Sequence, residues 1–258
     1  MATTRALITG ASAGLGREFA RQLAASGKDL ILVARRIEPM QALAEELTNT
    51  HKIDVDVIQA DLSNAAAPAM LFETVCKRGL EVDCLINNAG SSGPDLLQEK
   101  DWQVAHDYLE LMMTSVVAMC HFFVPTMRER GYGRILNVAS VAGKLATPGD
   151  YSYGPTKAYL IAFSRGLSSA LRNDGIHVTA LCPGFTHTDF HASDRLTRMK
   201  RSLPKFIWYD ADVVVREGLN ALNKGRAVYI SGRLYRYLVP LLRSPFGKLI
   251  FLALRIKL

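Results

Sequence analysis

Three residues near the middle of the chain are of types that can move a proton. Ser140 follows an apolar run, and thirteen residues later comes Tyr153-Gly-Pro-Thr-Lys157. On a helix, Tyr and Lys at i and i+4 share one face, a turn apart. A phenol titrates near pH ~10 when unperturbed, too high for ready exchange at neutral pH. A nearby ammonium stabilises phenolate and is expected to lower that value. A serine hydroxyl alongside can donate to a carbonyl oxygen as it gains negative charge. Pro155 places the pair in the first helical turn, where proline is tolerated. Tyr151 cannot form the same pair, because its i+4 partner is Pro155. Taken alone, Tyr-x-x-x-Lys also fits ordinary helix surface or core.

A second constellation opens the chain. Thr9-Gly-Ala-Ser-Ala-Gly-Leu-Gly16 lies between the apolar run Arg5-Ala-Leu-Ile and a segment in which Leu15, Phe19 and Leu23 recur at helical spacing. Strand, glycine turn and helix therefore follow one another. Gly10 can take the positive φ of a sharp turn, and Gly14 and Gly16 carry no Cβ to block a ligand or a packed strand. The open N–H groups at the helix start, together with its dipole, favour a phosphate. At the end of the next strand stand Ala34, Arg35 and Arg36, with no acid to accept a ribose 2′-hydroxyl. Two guanidiniums suit a 2′-phosphate, so the expected ligand is NADP(H).

Strands and helices must carry these residues to one place. Expected strands are 28–34, 55–59, 82–86, 134–139, 177–181 and 227–230, after a first at 5–8. Helical stretches are expected at about 65–77, 101–110, 111–130 and 151–173, and one with apolar Met40, Leu43, Ala44 and Leu47 follows the second strand. This alternation predicts a single-domain, doubly wound parallel sheet of Rossmann type, flanked by helices, with ligands beyond the carboxyl ends of the strands. The catalytic and cofactor-binding domain is placed at 1–231, with a substrate-closing segment at about 185–210, and a basic amphipathic extension at 232–258. The chain of 258 residues is 49% hydrophobic, ample for one large core. Four scattered cysteines without a Cys-x-x-Cys pair argue against a disulfide framework or a zinc knuckle, and favour a reducing compartment. The first strand begins within five residues, leaving no expected room for a signal peptide, and no apolar run approaches the roughly 20 residues of a membrane span. A cytoplasmic protein is expected, either free or peripheral to a membrane.

In order and spacing, Thr9-Gly-x-x-x-Gly-x-Gly16, Asp61, Asn87-Asn-Ala-Gly90, Ser140, Tyr153-x-x-x-Lys157 and Pro183-Gly184 with Thr188 resemble the short-chain dehydrogenase/reductase family over roughly residues 5–190. The resemblance implies a nicotinamide cofactor held by Gly10, Ser12, Gly14, Leu15 and Gly16 at the phosphates and by Asp61 and Leu62 at the adenine. Asn88, Ala89 and Gly90 are implied further in, with Pro183, Gly184, Thr186 and Thr188 on the nicotinamide side. Tyr153 is the implied general acid/base, Lys157 the residue that holds the ribose and tunes Tyr153, and Ser140 the residue that fixes the substrate oxygen. A homo-oligomer, dimer or tetramer, is implied as well. One departure stands out: where the family has an asparagine propping a relay water, this chain has Met112, and a thioether is a weak acceptor. Thr114, Ser115 or a backbone carbonyl are the alternative holders.

The expected activity is hydride transfer between NADP(H) and a carbonyl or alcohol. Phe185, Phe190, Leu203, Phe206, Ile207 and Trp208 point to a hydrophobic acyl, sterol or aromatic substrate, although core packing explains them nearly as well. The alternative is an inactive or weak NADP(H) sensor or scaffold. His187 and His191 lack a third ligand, so no metal is expected. Asn87, Trp102 and Trp208 read as structural. The net charge of +7 is concentrated after Gly218, where eight Lys or Arg and no acid occur; the body is close to neutral, which argues against nucleic acid. The basic amphipathic tail fits an anionic membrane face or a subunit partner equally, with Pro240 and Pro245 expected to break its helix.

Overall fold

A computed structural model describes residues 4–145, 150–188 and 204–244. In chain order, β1 (Arg5–Thr9), α1 (Gly14–Ala25), β2 (Asp29–Ala34), α2 (Ile37–His51), β3 (Val55–Gln59), α3 (Ala67–Lys77) and β4 (Cys84–Asn87) form the first half. Then come α4 (Trp102–Leu109), a π-helical turn at Glu110–Thr114, α5 (Ser115–Glu129), β5 (Gly133–Val138), α6 (Tyr153–Ala170) and β6 (Ile176–Cys182). The short strands β7 (Thr186–His187) and β8 (Tyr209–Asp210), α7 (Ala211–Asn223), β9 (Val228–Ile230) and α8 (Arg233–Arg243) complete the described chain.

The main sheet is parallel throughout, in the order β3-β2-β1-β4-β5-β6-β9. Its order reverses between β1 and β4, which opens a crevice at their carboxyl ends. β2 is buried along its whole length, as its unbroken apolar run requires when helices cover both faces. On one face Phe19, Leu43, Leu47, Val214 and Leu222 pack α1, α2 and α7 onto the strands. On the other, Leu71, Val75, Met119, Phe123 and Met127 do the same for α3 and α5.

Several expectations change. The stretches at 101–110 and 111–130 are joined through the π turn into one helical rod, Trp102–Glu129. By length and composition that rod could cross a bilayer; here its buried face lies on α3 and the sheet. Trp102 is 68% exposed and has no core role. Helix α7 and the β7–β8 ladder were not anticipated. Pro240 does not break α8, because Tyr235 and Val239 are both buried and pin the turns around the proline.

Candidate active site

The glycine turn is built as its composition demands. Gly10 and Gly14 have φ of 67° and 52°. A Cβ on Gly16 would stand 2.1 Å from Gly10 O, and one on Gly10 would stand 2.8 Å from Asn88 Nδ2. Asn88 braces the turn from below: its Nδ2 donates to Thr9 O at 3.0 Å and Gly10 O at 3.3 Å. Thr9 Oγ1 accepts the N–H groups of Asn88 and Ala89, both at 3.0 Å. Thr9 itself was not singled out, although it heads the motif. Helix α1 starts at Gly14, preceded by Ala13 with no side-chain cap, and has no acid in its first turn. Its leading N–H groups therefore have no carboxylate competing for them, and Leu15 lies in that turn; the cradle fits an anionic pyrophosphate.

The far end of the crevice carries the arginines. Arg36 Nη2 donates to Ser12 Oγ at 3.1 Å, which sets it at the rim of the glycine turn. Arg35 Nη1 lies 3.8 Å from Asp61 Oδ2, with both side chains exposed. Asp61 folds into a local turn with Ser63, and Leu62 is buried beside it. Arg35, Arg36, Ser12 and Asp61 thus meet where an adenosine ribose would lie.

At the other end, α6 begins at Tyr153, with Pro155 in its first turn as expected. Asp150 caps the helix, accepting Gly154 N–H at 2.9 Å. Ser140, in extended backbone (φ −164°), starts a 3-10 turn, and its Oγ accepts Ala142 N–H at 3.1 Å. Ser140 also acts on the Tyr153 phenol, favouring its ionised form. Lys157 is 5% exposed; its Nζ donates to Val138 O at 2.8 Å and sits over the Tyr153 ring, 5.7 Å from the centroid. Sheet, turn and helix therefore bring all three residues together.

Their electrostatics differ from the simple expectation. Tyr153 is partly exposed, yet protein atoms close around its phenol so that desolvation pushes it up to about 12; Ser140 opposes the rise, while Tyr108 and Asp150 add to it. Burial brings the Lys157 ammonium down to about 8, against a small opposing effect of Cys182. In the protein alone the ammonium does not make this phenol more acidic. It commits a hydrogen bond to Val138 O and lies over the ring. At neutral pH Tyr153 is a proton donor at rest, and Lys157 is mostly charged.

Met112 sits on the π turn, a feature often found at functional sites. It is 1% exposed, and its Sδ accepts Ser91 N–H at 3.3 Å. A Cβ on Gly90 would lie 3.2 Å from that sulfur and 3.8 Å from Lys157 Nζ, so Met112 faces the lysine across Gly90. Of the alternative water holders, Ser115 is occupied with Leu111 O at 2.8 Å.

Beneath the site runs a buried polar chain that single-residue reading missed. Asn87 Nδ2 donates to Asn137 Oδ1 at 2.9 Å, Asn137 Nδ2 to Ser164 Oγ at 2.9 Å, and Ser164 Oγ to Leu160 O at 2.7 Å. It locks β4, β5 and α6 together below Tyr153. Tyr108 was likewise missed: it is buried, its hydroxyl is 3.4 Å from Thr156 Oγ1, and it approaches Gly93, where a Cβ would be 2.6 Å from its ring.

The segment after β6 forms the remaining wall. Pro183 O accepts Val141 N–H at 2.9 Å, which ties it to the serine turn. Thr186 Oγ1 donates to Gly184 O at 3.0 Å, and Thr188 lies over Gly14, whose Cβ would stand 3.3 Å from Thr188 Cβ. Phe185 and His187 flank buried Trp208 at 5.0 and 5.4 Å. Phe206 is exposed at 71%, and Ile207 is half-buried. Phe190, His191 and Leu203 lie outside the described residues. Among the described residues no group of three metal-binding side chains occurs.

A doubly wound parallel sheet with a glycine cradle at its switch point defines a Rossmann-type nucleotide-binding enzyme. The short chain dehydrogenase family matches residues 4–198. Sulfoacetaldehyde reductase of Chromohalobacter salexigens is 38% identical over 189 residues, 71% of this chain and 72% of that protein. The 3-oxoacyl-[acyl-carrier-protein] reductase of Staphylococcus aureus is 32% identical, over 90% of this chain and 95% of its own. Among solved structures, a short-chain dehydrogenase from Sphingobium yanoikuyae in complex with NADPH superposes with a TM-score of 0.80 at 29% identity, covering 98% of this chain and 93% of that one. The chain belongs to the short-chain dehydrogenase/reductase family and is an oxidoreductase.

Proposed function

We propose that this protein reduces a hydrophobic ketone or aldehyde with NADPH, or oxidises the corresponding alcohol in reverse. The observation that carries the reading is the convergence of Ser140, Tyr153 and Lys157 at one end of a crevice whose other end is an acid-free glycine cradle. The bound nicotinamide supplies or accepts the hydride. Gly10, Ser12, Gly14, Leu15 and Gly16 hold its pyrophosphate, and Asp61, Leu62, Asn88, Ala89 and Gly90 flank the adenosine and inner edge. Pro183, Gly184, Thr186 and Thr188 back the nicotinamide. Lys157 holds the ribose with the donors not used on Val138 O.

Ser140 orients the substrate oxygen. As that oxygen gains charge, Tyr153 transfers its phenolic proton to it, and water restores the proton afterwards. A phenol that stays protonated suits this direction, and the charged Lys157 serves by holding the ribose beside it. Preference for NADPH is supported by Arg35 and Arg36, and by similar chains solved with NADPH, the Sphingobium yanoikuyae dehydrogenase and actinorhodin polyketide ketoreductase. A hydrophobic substrate is supported by Phe185, Phe206, Ile207 and Trp208, and by likeness to the bulky-bulky ketone specific alcohol dehydrogenase of Comamonas testosteroni, 29% identical with a TM-score of 0.77. The intact Ser140, Tyr153 and Lys157 weigh against a sensor or scaffold without turnover. Residues 1–231 are assigned to the enzyme and 232–258 to a basic extension, in a cytoplasmic dimer or tetramer proposed on family grounds, with peripheral membrane contact through the extension.

The test is oxidation of NADPH and NADH with bulky lipophilic ketones set against short charged aldehydes. Faster turnover of lipophilic ketones with NADPH is expected. Preference for a small anionic aldehyde, as the first relative's name implies for that protein, would replace the substrate assignment.

A further inference from the structure

We propose that α8 carries a docking face for an anionic lipid surface, on the helix whose opposite face holds the wall of the reactive site. Arg233, Tyr237 and Leu241 recur every four residues and so form one row along the helix. Arg233 is exposed, Tyr237 is 71% exposed and Leu241 49%. Tyr235 and Val239 turn the other way into the core, and Arg236 is held inward by Glu217 at 3.1 Å. The row therefore presents a cation, an aromatic ring with a polar tip, and an aliphatic side chain, the set that seats a helix among lipid headgroups.

One further observation agrees. Beyond Ser244 the sequence continues with Phe246, Leu249, Ile250, Phe251, Leu252 and Leu254, interleaved with Lys248, Arg255 and Lys257.

Charge decides between a lipid and a second copy of this chain. A two-fold contact would set the same face against itself. Arg233 is the exposed cation of the row, Arg236 is paired with Glu217, and from Gly218 to Leu258 the sequence has eight bases and no acid, so that contact would bring like charges together. An anionic bilayer supplies the missing charge, at roughly fivefold in affinity per cation near its surface.

The same helix reaches the site through one phenol. Tyr235 Oη accepts Phe185 N–H at 3.2 Å and donates to Ile207 O at 2.8 Å. Its ring occupies the space a Cβ on Gly184 would need, 2.0 Å away, and Pro183 next to it binds the turn of Ser140. Docking through α8 thus sets the wall 183–188 beside the bilayer, where a lipophilic carbonyl would reside; this last step rests on the reductase reading.

The docking itself is tested without substrate. The full chain is sedimented with vesicles of phosphatidylcholine alone and with vesicles that also contain anionic phosphatidylglycerol, beside Arg233→Glu and the double variant Tyr237→Glu, Leu241→Glu. At least tenfold tighter binding to the anionic vesicles is expected, and at least a tenfold loss in either variant with unchanged circular dichroism. Equal binding to both vesicle types, no binding, or full retention by the variants overturns the proposal. So does a fall of the double variant from oligomer to monomer in light scattering, which assigns the face to a second copy. A chain that sediments but turns over no carbonyl leaves the docking intact and removes the reductase reading.

Discussion

Lys157 and Tyr153 lie one helical turn apart, with the ammonium over the ring, 5.7 Å from its centroid, and hydrogen-bonded to Val138 O. The cation is thus fixed by the sheet and not by the phenol it serves. Holding it there is costly. A lysine brought from 10.5 to about 8 represents on the order of 3 kcal/mol of disfavoured charge.

Lys157→Met should therefore abolish turnover and raise the melting temperature at pH 7 by several degrees. The folded value lies below the unfolded one, so the folded wild type binds fewer protons between about pH 8 and 10.5 and gains stability as pH rises across that window. The advantage of the variant is full below the window and fades through it. Thermal melts of both proteins across this range check the trend; a variant less stable at pH 7 would contradict it.

The reductive kcat/KM should fall as pH rises past about 8, because that parameter follows the free enzyme and Lys157 loses its charge there. The Tyr153 phenol, up at about 12, keeps its proton throughout. A profile flat to pH 10 would show that the lysine charge is not needed.

Arg36 reaches the rim of the glycine turn through Ser12. Arg36→Asp should lower kcat/KM for NADPH by roughly 10- to 100-fold, the worth of a charge-assisted contact, while NADH is used as well as before or better. Steady-state kinetics with both cofactors measure this. Unchanged use of NADPH would leave Arg36 as a solvated surface residue.

Met112→Asn should leave turnover unchanged or raise it, since an amide could hold a water beside Lys157 where the thioether cannot. Burial of the amide beside Gly90 should cost about 1–2 kcal/mol of stability. A large loss of kcat would give the methionine a positive packing or substrate role.

The sequence makes legible whatever backbone or spacing alone dictates. The glycine turn is readable because Gly10 and Gly16 admit no Cβ, and Tyr153 with Lys157 because i and i+4 share a face. The arginine pair is readable from its place at a strand end. What stays hidden depends on partners distant in the chain. Asn137 meets Asn87 and Ser164 across fifty and twenty-seven residues, and Tyr235 meets Phe185 across fifty. The fall of the Lys157 value likewise follows from burial that only the packed α6 creates. Pro240 misleads because the proline rule is local, whereas Tyr235 and Val239 hold α8 from the core side.

Tyr153→Phe, which removes one oxygen and keeps the ring, tests the role of the phenol most directly. With NADPH binding followed by fluorescence and turnover by loss of absorbance with a lipophilic ketone, binding should be retained within about threefold while kcat falls by about 10² to 10⁴. Undiminished turnover in a variant that still binds NADPH would contradict the role given to the phenol.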